Sequence, residues 1–445
     1  MRIALILATL VIFSIVATFC VTSPFFSYKE ALIAEVIKET TSPFSMVPTY
    51  NGKVFLNIPI LYAWVSATFC KVFSFLPFPT SVLLRFLSVF SLLFLLGLSL
   101  VVFEKKEEYL LFLLFFLAVP KVLEYFISIS PVPVLGLIDF LAFVCISAYL
   151  EKESAVFKRV FYLVLGTIFV SQGILAFLSV FLLSLVFGFL RNPKKSLKLL
   201  LCFSAPIFVG LPLLIYLAIF YFKLHNPHAL TKLLVPFFPH FKLKVNTLLI
   251  ERSLFAMLKE FFVPVVAVLV FPFIFNSEGT KKSFLYALSF FFVGIALVLI
   301  GCIYPLNTSF LFLSRLFFAG FFACLLEVEN TVWVLRTAFL WLTVGVFVFS
   351  LQTTCLADKL TYRVSIIKSA MKSIADKKVV FWKRLNPIML YYLGPPREVV
   401  KTQTQLASLK PDYVISKQNL GGMKIYRIIF DPYSGKLYYI LRPYE

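Results

Sequence analysis

Residues 160–190 read VFYLVLGTIFVSQGILAFLSVFLLSLVFGFL, thirty-one residues without a charge. A helix crosses some 30 Å of hydrocarbon with about 20 apolar residues. The run is too long for one crossing, and Ser171-Gln172-Gly173 interrupts it near its middle. Basic loops flank it on both sides, Lys152 to Arg159 before and Arg191 to Lys198 after. Short loops rich in Lys and Arg stay cytoplasmic. The segment must therefore enter and return, as a tight double crossing or a re-entrant hairpin broken at Ser171-Gln172-Gly173.

The same rule organises the rest of the chain. Of 445 residues, 61% are hydrophobic and 14% charged, with a mean hydropathy of +0.95; soluble domains are about 45–50% apolar and about 25% charged. These values exclude a soluble enzyme, a disordered regulator and a nucleic-acid-binding domain. Spanning candidates are 3–21, 81–103, 109–130, 131–150, 197–222, 256–276, 283–304, 309–326 and 331–351. The run 3–21 lacks a small-x-small cleavage site and reads as a retained first helix. With Arg2, Lys105-Lys106 and Lys281-Lys282 also inside, 57–77 does not span and lies at the outer interface. The expectation is an α-helical polytopic protein of the cytoplasmic (inner) membrane. It has about eleven crossings, a membrane domain over 1–354, a long first external loop over 22–80 and the carboxyl tail outside.

The net charge of +21 is concentrated late. Residues 355–445 carry 16 Lys and Arg against 6 Asp and Glu, and their pattern changes to short alternating strands and helices. A helix over 361–376, strands at 379–382, 413–416, 423–430 and 436–442, and helices at 387–393 and 403–409 give a small external α/β domain. Asp431-Pro432-Tyr433-Ser434-Gly435 is the turn of a terminal hairpin. The seven cysteines form no CxxC pair and read as buried, inert thiols.

The first loop, SPFFSYKEALIAEVIKETTSPFSMVPTYNGKVFLNIPILYAWV (23–65), resembles the signature of GT-C class membrane glycosyltransferases. The resemblance is to the group of the aminoarabinose–lipid A transferase and the protein O-mannosyltransferases. Ala31 and Ala34 match that family's loop helix. Val47-Pro48, Asn51-Gly52, Pro59 and Leu61-Tyr62 match the remainder of its first loop, and Arg85 opens the next helix. TSVLLRFLSVFSLLFLLGLSL, SPVPVLGLIDFLAF and YLVLGTIFVSQGILAFL fall in order where the family has its later helices and turns. VVFWKRLNPIMLYYLG and KPDYVISKQNL resemble its small bacterial domain. The resemblance implies transfer of a sugar from a polyprenyl-phosphate carrier to a lipid or protein acceptor outside the membrane. Such chemistry needs a base for the acceptor hydroxyl and fixed positive charge, or a divalent metal, for the departing phosphate.

The family's charged positions are occupied here by neutral residues. Aligned on Ala31, the acidic pair falls on Phe26 and Ser27, a lysine on Asn57, a turn aspartate on Pro131 and a second lysine on Gln172. Residues 1–354 hold a single aspartate, Asp139. The site is neutralised as a unit, which avoids leaving a buried charge unpaired.

Glu30 and Glu35 remain as candidate catalytic bases on the loop helix, about 140° apart around it. Glu30 has the alternative of a solvated charge beside Lys29 or Lys38. Asn57, Tyr62, Gln172 and Arg315 are candidate substrate-binding residues, and Tyr62 and Trp64 also fit interfacial anchoring. His225 and His228, with His240 in the same loop, are the candidates for a divalent metal, which needs three or four ligands. No cofactor motif is present, and the expected partners are the bilayer and a polyprenyl-phosphate-linked sugar or other lipid. Two rivals stand beside a glycosyltransferase: a non-catalytic relative that binds a lipid or a protein, and a transporter or flippase.

Overall fold

The computed structural model describes residues 14, 18–21, 25, 27–41, 48–55, 58–103, 106–200, 255, 281–303, 309–325, 360–395 and 397–443. Residues 1–87, 127–130 and 350–445 form one compact unit, and 88–126 with 131–349 form another.

The second unit is helical. After helix α3 (Thr80–Ser99), which begins in the first unit, come α4 (Lys106–Leu117), α5 (Pro120–Ile127) and α6 (Val132–Lys152). Next in the chain are α7 (Ala155–Gln172), α8 (Ile174–Arg191), α9 (Pro193–Leu200), α10 (Lys281–Ile303) and α11 (Ser309–Leu325). Among the described residues, α3, α6, α7 and α8 are long and apolar enough to cross a membrane. The run 160–190 is broken where the sequence places it. Gly173 sits at φ 91° and ψ 178°, a conformation that needs glycine, and one residue separates α7 from α8. The two helices fold back on each other, since Phe169 meets Phe177 at 5.7 Å and Phe161 meets Phe181 at 6.4 Å.

One expected span is corrected. Residues 109–130 form α4 and α5 rather than a single helix. Pro120 has no amide hydrogen to donate, so the helix ends at Leu117 and restarts at the proline, where a missing donor costs nothing. The expected spans 256–276 and 331–351, 197–222 beyond Leu200, and 3–21 apart from residues 14 and 18–21 lie outside the described residues.

Phenylalanine fills this unit. Phe290 stacks on Phe103 at 5.4 Å and meets Phe187 at 5.3 Å and Phe317 at 5.6 Å. Gly320 lets α11 approach this cluster, because a Cβ there would lie 2.6 Å from the Phe290 ring.

The first unit holds helix α1 (Tyr28–Thr41), a two-residue hairpin of β1 (Thr49–Tyr50) and β2 (Lys53–Val54), and helix α2 (Ile60–Val72). Asn51 and Gly52 turn the hairpin with φ of 54° and 71°, the left-handed pair that Asn-Gly favours. The 13 residues of α2 span about 20 Å, short of the ~30 Å hydrocarbon core of a bilayer.

The tail begins with a helix, α12, over 360–373. It continues through strand β3 (Val379–Trp382), helix α13 (Pro387–Leu393), strand β4 (Glu398–Val400) and helix α14 (Gln403–Leu409). Strands β5 (Tyr413–Ser416), β6 (Met423–Asp431) and β7 (Lys436–Pro443) complete it. The sheet order is β4-β3-β5-β7-β6; β3 is parallel to β4 and β5, and β7 is antiparallel to β5 and β6. Strand β4 is absent from the sequence reading, because three residues after two prolines carry too little alternation to register. Val380, Val400, Leu406, Val414 and Leu441 form the core between α14 and one sheet face.

Gly320→Ala is expected to destabilise the helical unit by about 1–3 kcal/mol, because a ring packed on three sides cannot retreat. Thermal unfolding in detergent checks this, and an unchanged midpoint would mean that Phe290 moves freely.

Candidate functional site

The site is built around the first charge on α3. Arg85, the sixth residue of that helix, is fully buried, and its guanidinium lies 3.6 Å from the Glu30 carboxylate. Its Nη1 also donates to the Cys20 carbonyl at 3.3 Å. Glu30 is likewise buried and takes a hydrogen bond from the Ile129 amide at 3.4 Å. The pairing corrects the expectation that Glu30 is a solvated charge beside Lys29 or Lys38. A buried arginine requires an anion, and the opening turn of α1 supplies one. Ser27 stands where the resemblance has an acid, and its hydroxyl accepts from the Glu30 amide at 3.3 Å, starting the helix.

The tail surrounds this pair with phenols whose meeting with it no local pattern in the sequence marks. The Tyr433 hydroxyl donates to the Phe25 carbonyl, and the Tyr28 ring lies 5.5 Å from Tyr433. Asn386 donates to the Tyr28 hydroxyl at 3.3 Å. Phe25 packs against Tyr391 at 4.9 Å and Tyr392 at 6.5 Å. Burial raises the Tyr433 phenol, helped by the negative charge of Glu30, and pushes Tyr392 up to about 12. Burial also raises Tyr62 on α2, which is fully enclosed. At neutral pH these hydroxyls keep their protons and are hydrogen-bond donors.

Glu35 lies elsewhere on the same helix, wholly buried, and neither of its oxygens accepts a hydrogen bond among the described residues. The Lys38 ammonium is 3.8 Å away and donates to the Tyr391 carbonyl at 3.3 Å. Burial pushes the Glu35 carboxyl up to about 7, Lys38 opposes this, and Glu39 adds to it. Glu39 itself accepts from the amides of Asn51 and Gly52 at 2.5 and 3.0 Å, and so holds the hairpin turn. Asn51 then exchanges hydrogen bonds with the Arg397 backbone at 2.5 Å in each direction. Those contacts give Asn51-Gly52 a structural task.

Apart from Trp64 on α2, the other candidates belong to the helical unit or lie outside the described residues. Gln172, at the end of α7, donates to Asp139 at 2.6 Å, and Ser309 donates to the other Asp139 oxygen at 2.9 Å. The one aspartate of 1–354 is thus buried with a donor on each oxygen. Arg315 is buried too, and its Nη1 donates to the Leu311 carbonyl of its own helix at 2.7 Å. Pro131 precedes the first turn of α6. Trp64 is half-buried on α2. Phe26, Asn57, His225, His228 and His240 lie outside the described residues. Among the described residues no three His, Cys, Asp or Glu side chains gather as a metal site.

The buried carboxyls can be tested by stability. The folded chain binds a proton on Glu35 more tightly than the unfolded chain, so its contribution to stability is greatest below about pH 4.5 and is lost as pH rises to about 7. Glu35→Gln should flatten that slope and raise stability at pH 8 by on the order of 2–3 kcal/mol, read from melting midpoints between pH 4.5 and 8. Gln172→Leu removes the amide donor from a buried carboxyl and should cost about 1–3 kcal/mol. A midpoint equal to wild type would show that Asp139 finds another donor.

No protein-family model matches this sequence, and no curated protein matches it. The structure of ArnT from Cupriavidus metallidurans bound to undecaprenyl phosphate superposes on it with a TM-score of 0.68 at 13% identity, covering 98% of this chain and 97% of the other. The apo structure of the same protein, at the same identity and coverage, gives 0.47. At 13% identity the likeness is one of backbone course, and it extends over nearly the whole of both chains: this protein has the ArnT fold.

Proposed function

We propose that this chain is a polyprenyl-phosphate-dependent, glycosyltransferase-like protein of the cytoplasmic membrane, with residues 1–354 as its multi-pass membrane domain and 355–445 as a small outward α/β domain. The buried Arg85–Glu30 pair carries the proposal. An intramembrane or interfacial arginine costs several kcal/mol to keep unless its charge has a use, and a guanidinium matches a phosphate's geometry in two-point contact. The fold likeness adds that the matched ArnT structure holds undecaprenyl phosphate.

In this reading the lipid phosphate takes the place of the Glu30 carboxylate on Arg85. The protonated phenol of Tyr392 lies within the same field and can donate to a phosphate oxygen. Glu30, released from the arginine, becomes the base for the acceptor hydroxyl. The acceptor oxygen bonds to the anomeric carbon as the anomeric carbon–phosphate oxygen bond breaks. The proton goes to Glu30, and the electron pair leaves with polyprenyl phosphate, whose charge Arg85 balances.

A second reading has its own observation. Glu30 is already held by Arg85 and the Ile129 amide, an arrangement that suits a lipid-binding relative without transfer chemistry.

Undecaprenyl phosphate titrated into the detergent-solubilised chain, with native mass spectrometry as the readout, tests the binding. The wild type should bind it, and Glu30→Gln should bind it no more weakly, since a competing carboxylate is removed. The double change Arg85→Gln/Glu30→Gln, which leaves no charge unpaired, should lose at least about tenfold in affinity. A wild type that does not bind overturns the proposal. With a labelled polyprenyl-phosphate sugar and membrane acceptors, Glu30→Gln should lower transfer by about 10²–10⁴-fold. A wild type that binds the lipid but transfers nothing establishes the second reading.

A further inference from the structure

Strand β6 is an edge of the tail sheet, and its register with β7 sorts its side chains between the two faces. Ile425 pairs with Leu441, Ile428 with Tyr439 and Phe430 with Leu437, so these six share one face, the one on which Leu441 joins the core under α14. Helix α14 packs against only part of that face. Beyond it Ile425, Ile428, Phe430 and Leu437 stand between 40% and 49% exposed. A hollow lined by Leu406, Lys410, Leu420, Met423 and Pro443 borders the same surface.

The charge on this strip, from Tyr413 to Pro443, is nearly all basic, and exposed Asp412 just before it is the nearest exposed carboxylate in the chain among the described residues. From Tyr413 to Pro443 the basic residues are Lys417, Lys424, Arg427, Lys436 and Arg442, and the one acid is Asp431. Asp431 is fully buried and is occupied with the Ser434 hydroxyl at 2.6 Å and the Tyr433 amide at 3.1 Å. Lys424, Arg427, Lys436 and Arg442 are exposed, and the alternation of the strands sets them on the face opposite the apolar strip. Tyr426, half-exposed at the bulge between Ile425 and Arg427, lies at 5.0 Å from Tyr413 among them. On the apolar side the Arg363 guanidinium lies 5.1 Å from the Phe430 ring.

We propose that this hairpin is a membrane-surface contact. Its apolar face lies in the interface, and its lysines and arginines reach round the ribbon to anionic lipid headgroups. Among the exposed residues of the hairpin the apolar ones lie on one face and the basic ones on the other, where Ile429, Tyr438 and Ile440 between them are buried in the tail. That division of exposed residues is that of an interfacial amphipathic element. Lys and Arg stems are long enough to bring their charges to headgroup level from the far face. Each basic residue near an anionic leaflet adds attraction, and the stretch from Tyr413 to Pro443 offers no exposed carboxylate to oppose it. The same chain carries helices apolar enough to span a membrane, so the bilayer is always at hand. A protein partner of matching acidic chemistry would have to compete with that standing concentration.

The test uses the full chain in nanodiscs, with Ile428→Cys carrying an environment-sensitive nitrobenzoxadiazole label, and the unchanged chain as labelling control. With phosphatidylglycerol in the disc, emission should shift to the blue, and doxyl-labelled lipid should quench it about threefold more than in pure phosphatidylcholine discs. Charge reversal at Lys424, Arg427 and Lys436 together should bring quenching down to the phosphatidylcholine level. Emission that stays unshifted in both lipids overturns the proposal, and so does equal quenching in both. A blue shift in detergent that grows with protein concentration also overturns it, in favour of a contact between copies of this chain.

Discussion

A guanidinium withdrawn from water must meet an anion, and in this protein Arg85 meets Glu30. Removing one member of such a pair costs about 3–5 kcal/mol, because the other stays buried and unpaired. That constraint sets the course of the first loop. Helix α1 must present its opening turn to the start of α3, and Ser27 must begin α1 where Glu30 can reach. The chain before it is then held by the Arg85 contact to the Cys20 carbonyl and the Tyr433 contact to the Phe25 carbonyl. The tail closes over this arrangement with Tyr391, Tyr392 and Asn386. One ion pair and a ring of phenols therefore tie together residues 358 and 408 positions apart in the chain.

The neutral residues at the positions where the resemblance implies charges become intelligible in the same terms. A site that keeps one acid and one base in contact is electrically closed in the absence of ligand. Glu30 therefore compensates Arg85 wherever both stay buried together. Glu35 obeys another logic. It has no hydrogen-bond donor among the described residues, and burial keeps its carboxyl partly protonated near neutrality. It therefore carries only part of a charge into the junction between α1 and α13 near neutral pH.

The helical unit treats its few charges with equal care. Asp139 receives one donor from Gln172 and another from Ser309. Arg191 donates to the Ser147 hydroxyl and the Val102 carbonyl, each at 3.1 Å. Lys195 meets Glu153 at 2.6 Å. The rest of the packing falls to aromatic rings and to glycines such as Gly320, which admit a neighbouring ring at a distance no side chain would permit.

Charge and hydropathy along the chain were enough to determine a membrane protein, the break at Gly173 and most of the tail's strands. Each of these is a local property: the length of an apolar run, the sign of a loop, the period of a strand. The break at Pro120 was legible in principle, but the apolar run that carries it outweighed the single proline. Only the tertiary structure could pair Glu30 with Arg85, bring Tyr433 to Phe25, satisfy Asp139 from Gln172 and leave half a sheet face bare. Those facts depend on residues distant in sequence meeting in a medium of low dielectric. There a charge or a hydroxyl is worth what its partner makes it worth, and the partner is chosen by the fold.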